Sequence, residues 1–457
     1  MLFSSLEFLY LFLPLCIGIY FLSPVRARNL ILFFVSLLFY GFGEPVFIIL
    51  MLGVITTDYF FGFLIGRSKK RKKLWLAVAI FFNLFLLAFF KYFSPMAKGL
   101  GFEDVNIPLP IGISFYIFQA LSYLIDVYRG LPPEKSYIAF GTYISLFPQL
   151  IAGPIVKYTD IASELNGRRS KVSNIASGIS TFSVGLTKKV LLANGAGIMA
   201  ESLLLPQKSS ASMWLGLIAF AFQIYYDFSG YSDMAIGLGR IFGFTFPENF
   251  NYPYISSNAT EFWRRWHITL SSWFREYVYI PLGGNRKGTA KTYINLFAVW
   301  CLTGIWHGAA WNFLLWGAYF FIFLSIEKLF LLRLLKRLPH FLSHTYAISV
   351  ILFGWLIFYL DGKSFSEIVG SFVRIFGFGD IPFTDPNFIY ELLRSTPFIL
   401  IMCLGATPLP KKIFTSIKTR AQSLGYLARD ILTVSAILIS TAYLVDTGYN
   451  PFLYFRF

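Results

Sequence analysis

Apolar runs of membrane-spanning length recur from one end of the chain to the other, at about 8–22, 30–43, 46–66, 74–93, 111–128, 345–360, 396–408 and 431–445. A helix rising 1.5 Å per residue needs about 20 mainly apolar residues to cross the hydrocarbon core, so each run predicts a membrane helix. Between 137 and 330 the alternation breaks. Pro148, Gly153, Pro154, the Lys188/Lys189 pair, Asp227 and Asp233 interrupt the apolar pieces there. Irregular backbone at membrane depth is tolerated only when buried in protein or lining a cavity, so the functional site is expected in this region. No repeat of 20–50 residues is visible. The expectation is one all-α, polytopic membrane domain over 1–457, with roughly 11 membrane helices plus re-entrant and interfacial helices, and with 137–330 as its catalytic core.

Composition agrees with that solvent. Hydrophobic residues make up 56% and charged residues 14%, against about 25% charge in a soluble domain, which excludes a soluble enzyme and a disordered chain. The net charge of +16 would raise nucleic-acid binding in a soluble protein. Here the basic residues cluster in short loops: Arg67 to Lys73, Arg168/Arg169/Lys171, Arg286/Lys287/Lys291, Arg333/Lys336/Arg337 and Lys411/Lys412/Lys418/Arg420. That is the positive-inside pattern, with membrane lipid as the partner and no nucleic acid. Placing Arg67 to Lys73 in the cytoplasm puts the N-terminus outside and Arg26 and Arg28 inside. Phe8 to Leu22 has Glu7 at its start, no preceding basic residue and no small-x-small cleavage pattern, so it reads as a first membrane helix and not a signal peptide. Cys16, Cys301 and Cys403 are odd in number, lie in apolar runs and lack CxxC spacing, so neither a disulfide framework nor a metal site is expected.

Two of the four histidines stand out. His307 lies in a long apolar stretch from Lys291 to Lys328 that is basic at both ends, which suggests a helical hairpin with both ends cytoplasmic. At 1.5 Å per residue the histidine falls about 24 Å from Lys291, near the hairpin tip and deep in the bilayer. An ionisable group there is a site candidate, because desolvation of its charge must be offset; the competing reading is a neutral histidine bonded to a carbonyl as packing glue. Gly304 and Gly308 beside it permit close approach of a helix or a ligand. His267 sits in Glu261 to Ile280. On a helical wheel, Phe262, Trp263, Trp266, Leu270, Trp273, Phe274, Tyr277, Val278 and Ile280 share an arc of about 160° with His267, opposite Arg264, Arg265 and Arg275. This predicts an interfacial helix with its basic face toward headgroups, and His267 as either a buried hydrogen-bonding residue or a site residue. His340 and His344 are spaced for a metal pair but lack a third ligand nearby, and read as a solvated linker.

The block Trp266 to Arg286, WHITLSSWFREYVYIPLGGNR, followed by Gly304 to Trp311, GIWHGAAW, resembles the membrane-bound O-acyltransferase superfamily. Within it the chain is similar to the bacterial branch of alginate and peptidoglycan O-acetylation membrane proteins. Phe147 to Val156, Gly185 to Asn194, Tyr225 to Gly237 and Asn450 to Phe457 extend the resemblance over most of the chain. It implies a helical ring around a central tunnel open to both faces, His307 as catalytic histidine and His267 as the second tunnel histidine. It also implies a separate extracytoplasmic esterase-like partner protein.

The resulting expectation is acyl transfer, typically acetyl, from a cytoplasmic thioester, acetyl-CoA or an acyl carrier, with no bound cofactor. The acceptor is a hydroxyl of an extracytoplasmic envelope polysaccharide or relay protein, across the bacterial cytoplasmic membrane. A histidine suits the base role. Trp306, Trp311, Asn312 or a backbone N–H are candidates for stabilising the oxyanion, and Arg286, Lys287 and Lys291 for the donor phosphates. Asp227 and Asp233 line the tunnel or pair with Arg240 or Lys188/Lys189. The alternative function is a transporter or flippase of a lipid-linked envelope precursor, which would also use broken helices and buried ionisable groups.

Overall fold

The computed structural model describes residues 1–102, 107–151, 153–204, 207–448, 450 and 453. The described elements are helices, with no strand among them. Most of the Asn450 to Phe457 stretch, and Ala152 within Phe147 to Val156, lie outside the described residues. Among the described residues six helices are long and apolar enough to cross a membrane: Val25–Gly43, Phe47–Arg67, Lys72–Gly99, His340–Tyr359, Pro386–Gly405 and Gln422–Asp446. Other apolar runs form shorter helices, such as Ile113–Arg129 and Trp311–Ile326. The chain divides into two compact units, residues 1–186 with 231–248 and residues 187–230 with 249–457. The division falls inside one helix, Ser210–Phe242.

In the first unit the usual pattern of a soluble protein is inverted. Phe34, Leu38, Ile49 and Phe81 are exposed, as an apolar solvent allows, while the polar side chains of the same helices turn inward. Asn83 donates to Asp58 at 2.8 Å and to the Ala79 carbonyl at 3.0 Å, because a polar group facing lipid would have no partner. The break expected near Pro148 is present: Tyr137–Ser145 is followed by the single turn Phe147–Leu150. Its backbone is held internally, with Gln149 donating to the Tyr143 carbonyl at 2.6 Å and the Tyr143 hydroxyl bonding the Gln119 and Val156 carbonyls at 3.1 Å. Val172–Thr187 and Ser210–Phe242 touch backbone to backbone, since a Cβ on Gly178 or on Gly237 would lie 2.6 Å from the other's carbonyl oxygen.

Arg168, one of the cations read as a short basic loop, is buried. Its Nε donates to the Tyr20 hydroxyl at 2.9 Å and the Phe242 carbonyl at 3.1 Å. Its Nη1 bonds Asn29 Oδ1, and the guanidinium stacks over Phe244 at 4.4 Å. One planar fork thereby holds three segments of the first unit together.

In the second unit Asp227 meets Lys189 in a buried ion pair at 2.7 Å and accepts the Leu453 N–H at 2.9 Å. This is the lysine pairing expected from the sequence. Arg240, in the first unit, bonds Thr181 at 2.9 Å.

Replacing Arg168 by Lys keeps the charge and loses the fork, and should cost on the order of 2–3 kcal/mol. A lowered thermal unfolding midpoint in detergent is the expected readout, and an unchanged midpoint would show that the fork is dispensable.

Candidate active site

The expected interfacial helix over Glu261 to Ile280 is not continuous. Ala259–Arg265 ends at Trp266, His267 adopts the left-handed conformation (φ 44, ψ 54), and Ile268–Phe274 starts anew before a π-turn over Arg275–Tyr279. The reason is Asn249. Its side-chain oxygen accepts the Thr269 N–H at 3.2 Å and the Thr269 hydroxyl at 2.9 Å, and its carbonyl takes the Ile268 N–H at 3.0 Å. These bonds replace the intrahelical partners lost at the kink. Of the face expected inward, Phe262, Trp266, Leu270, Trp273, Phe274 and Tyr277 are buried and Trp263 and Val278 half-buried, whereas Ile280, past the π-turn, is exposed.

The first of these short helices is fixed at its start. Asn258 accepts the Glu261 N–H at 2.7 Å, and the fully buried Glu327 carboxylate accepts the N–H groups of Ala259 at 2.7 Å and Thr260 at 2.8 Å. Tyr346 adds a bond to Glu327 at 3.2 Å. A carboxylate on the first-turn N–H groups is favourable both as cap and as counter-charge to the helix dipole.

Thr289–His307 and Trp311–Ile326 form the expected hairpin, with His307 the last residue of its first helix. The glycines serve that packing. A Cβ at Gly304 would sit 2.5 Å from the Phe313 carbonyl oxygen, and one at Gly317 2.5 Å from that of Trp300. Close approach at Gly304 is therefore to the second hairpin helix. Asn312 ties the tip to His340–Tyr359 through the Ile357 carbonyl at 3.3 Å.

These elements enclose a cavity of about 430 Å³ lined by both histidines, within the range of about 300–1,000 Å³ usual for small-molecule sites. Its walls are mainly aromatic and aliphatic, among them Trp263, Trp266, Trp300, Trp316, Trp355 and Phe358. His267 is 2% exposed and His307 7%. The Nδ1 of His267 lies 3.0 Å from the Asn249 oxygen. That oxygen already accepts a backbone N–H, so Nδ1 carries the hydrogen and Nε2 keeps its lone pair. Burial lowers the pKa of His267 and keeps the ring neutral. The His307 ring is boxed by Trp306 at 4.7 Å, Trp316 at 5.1 Å and Phe358 at 5.2 Å.

Of the residues singled out in the sequence, the cavity brings together His267 and His307. Trp306 touches His307 from outside the lining, Trp311 is 80% exposed, and Asn312 is engaged in the hairpin contact. Asp227 is in its lysine pair and Asp233 belongs to the first unit. Arg286, Lys287 and Lys291 are absent from the lining, where Arg264, Arg275 and Lys328 stand instead. Thr260, Ser271 and Thr303 also line it. The wheel had set the two arginines opposite His267; the kink at His267, which residue spacing does not reveal, invalidates that geometry. Among the described residues no group of three His, Cys, Asp or Glu side chains has metal-ligand proximity.

The profile of MBOAT, the membrane-bound O-acyltransferase family, matches residues 84–369, which contain both histidines and the cavity. The chain belongs to the membrane-bound O-acyltransferase family. It is 38% identical to a probable alginate O-acetylase of Pseudomonas putida over 100% of both chains. It is 42% identical to another of Pseudomonas aeruginosa, over 78% of this chain and 72% of that one. With a peptidoglycan O-acetyltransferase of Helicobacter pylori it shares 35% identity over 78% and 77%. The chain is thus an O-acyltransferase and a multi-pass membrane protein, and the transporter alternative falls away.

In this membrane-bound O-acyltransferase the Glu327 carboxylate joins two cavity walls. Its replacement by Gln leaves one acceptor oxygen where several donors converge, and should destabilise by about 2–3 kcal/mol. Thermal unfolding of the purified variant measures this, and a midpoint equal to wild type would contradict the clamp.

Proposed function

We propose that this membrane-bound O-acyltransferase moves an acetyl group from a cytoplasmic thioester, carried by CoA or an acyl carrier protein, to a hydroxyl of an extracytoplasmic envelope polysaccharide or of a relay protein that passes it on. The carrying observation is one cavity holding two buried histidines in aromatic walls, with no carboxylate in its lining among the described residues. The relatives' names supply the acetyl group and the envelope acceptor.

In this reading His307 is the general base. It takes the proton of the acceptor hydroxyl as the oxygen attacks the thioester carbonyl, the C–S bond breaks as the C–O ester forms, and the proton leaves with the thiolate. General-base assistance of this kind is worth about 10²–10⁴ in rate. His267, held in one tautomer by Asn249, orients the acceptor or donor through its Nε2 lone pair. The dry aromatic walls favour transfer to the hydroxyl over hydrolysis of the thioester. An extracytoplasmic esterase-like partner delivers the acceptor, and the bacterial cytoplasmic membrane is the location.

Because CoA is too large and charged to cross a bilayer, acyl and donor must part at the protein. Proteoliposomes loaded with labelled acetyl-CoA are expected to label an external polysaccharide acceptor supplied with its partner, while free CoA stays inside. Release of CoA on the acceptor side, or label confined to the donor compartment, would overturn the two-sided reading.

A further inference from the structure

A second hollow lies in the first unit, where the helices Phe47–Arg67 and Lys72–Gly99 meet at the basic loop between them. It is an open groove of about 720 Å³. Tyr59, Phe60, Phe63, Leu64 and Trp75 line its length, and Arg67 and Ser68 stand at its loop end. From Tyr59 to Arg67 the helix rises about 12 Å, close to the depth of one hydrocarbon leaflet, about 15 Å, so the groove follows the path of an acyl chain inward from headgroup level. The walls are open yet fixed. Phe60 is 60% exposed, while Tyr59 donates to the Lys135 carbonyl at 2.7 Å and meets Phe63 edge-on at 5.0 Å.

The polar end is uncompensated. Arg67 lies 5.0 Å over the Phe63 ring, and among the described residues it makes no ion pair. Ser68 accepts the Arg71 N–H at 3.0 Å, which leaves its hydroxyl hydrogen to donate. No acidic residue occurs between Asp58 and Glu103, and Asp58 is buried against Asn83. A guanidinium at the end of an apolar groove, beside a positive-inside loop, is complementary to a phosphate that carries an acyl chain.

We infer that this groove binds one anionic glycerophospholipid of the cytoplasmic leaflet. An acyl chain lies along Tyr59, Phe60, Phe63 and Trp75, and the phosphodiester takes the Arg67 fork and the Ser68 hydroxyl. A zwitterionic lipid offers the same phosphate but brings its own cation to a loop that already carries Lys69, Lys70 and Arg71. The groove shares no lining residue with the histidine cavity, so the inference stands apart from the acyl-transfer reading.

The test is titration of the purified full-length protein in neutral detergent with phosphatidylglycerol, phosphatidylcholine and diacylglycerol of the same chains, bound lipid being counted by native mass spectrometry. Wild type is expected to bind its first phosphatidylglycerol at least about tenfold more tightly than diacylglycerol, with phosphatidylcholine between them. Arg67→Gln should remove most of the preference over diacylglycerol and leave diacylglycerol affinity unchanged, which also shows that the groove is intact. Lys70→Gln, outside the lining, should keep the preference. Phe60→Ala should weaken all three lipids alike, because it removes chain contact and no charge. A wild-type protein without the preference, an Arg67 variant that keeps it, or a Phe60 variant of full affinity overturns the proposal. Equal binding of phosphatidylcholine and phosphatidylglycerol, or a Lys70 variant that loses as much as the Arg67 variant, overturns it too. So does displacement of phosphatidylglycerol by glycerophosphoglycerol, the same headgroup without chains, which would assign Arg67 to a free phosphodiester.

Discussion

The cavity of this acyltransferase depends on a buried carboxylate. Glu327, fully enclosed, accepts the first N–H groups of Ala259–Arg265 from its place at the end of the second hairpin helix. A polar side chain so deep would be costly without partners, and N–H and hydroxyl donors converge on it. The consequence is geometric. The wall that carries Trp263, Arg264, Trp266 and His267 is bound to the wall that carries Trp316, Leu324 and Lys328, with their separation set by short hydrogen bonds.

The same rule, that buried polar backbone must find a partner, produces the kink at His267. Asn249 supplies both a side-chain and a main-chain acceptor to the residues after the break, so a left-handed histidine is held without orphaned N–H groups. Holding the histidine this way also selects its tautomer. At the other side of the cavity, Gly304 and Gly317 let the hairpin helices meet backbone to backbone, which brings His307 against Trp316 and Phe358. Site geometry and structural stability are therefore carried by the same few bonds.

Much of this was legible in the sequence because the bilayer makes hydrophobic patterning a strong signal. The long apolar helices, the break near Pro148, the hairpin with His307 at its tip and the inward aromatic face around His267 all follow from run length, helix breakers and periodicity. What stayed hidden depends on contacts distant in sequence. A helical wheel assumes an unbroken helix, and Asn249, eighteen residues from His267, breaks it. Arg168 reads as one more loop cation until Tyr20, Asn29 and Phe242 surround it. The role of Glu327, which the sequence does not single out, appears only with Ala259 and Thr260 in place. Lys328 likewise gains its place in the cavity from the fold.

The most direct measurement of the central claim is envelope O-acetylation in cells whose own enzyme is replaced by the full chain carrying His307→Ala or His267→Ala, with membrane protein level and unfolding midpoint recorded for each. The account predicts that His307→Ala falls at least about a hundredfold while the protein remains present and folded, and that His267→Ala falls less. Undiminished acetylation by the His307 variant would contradict it.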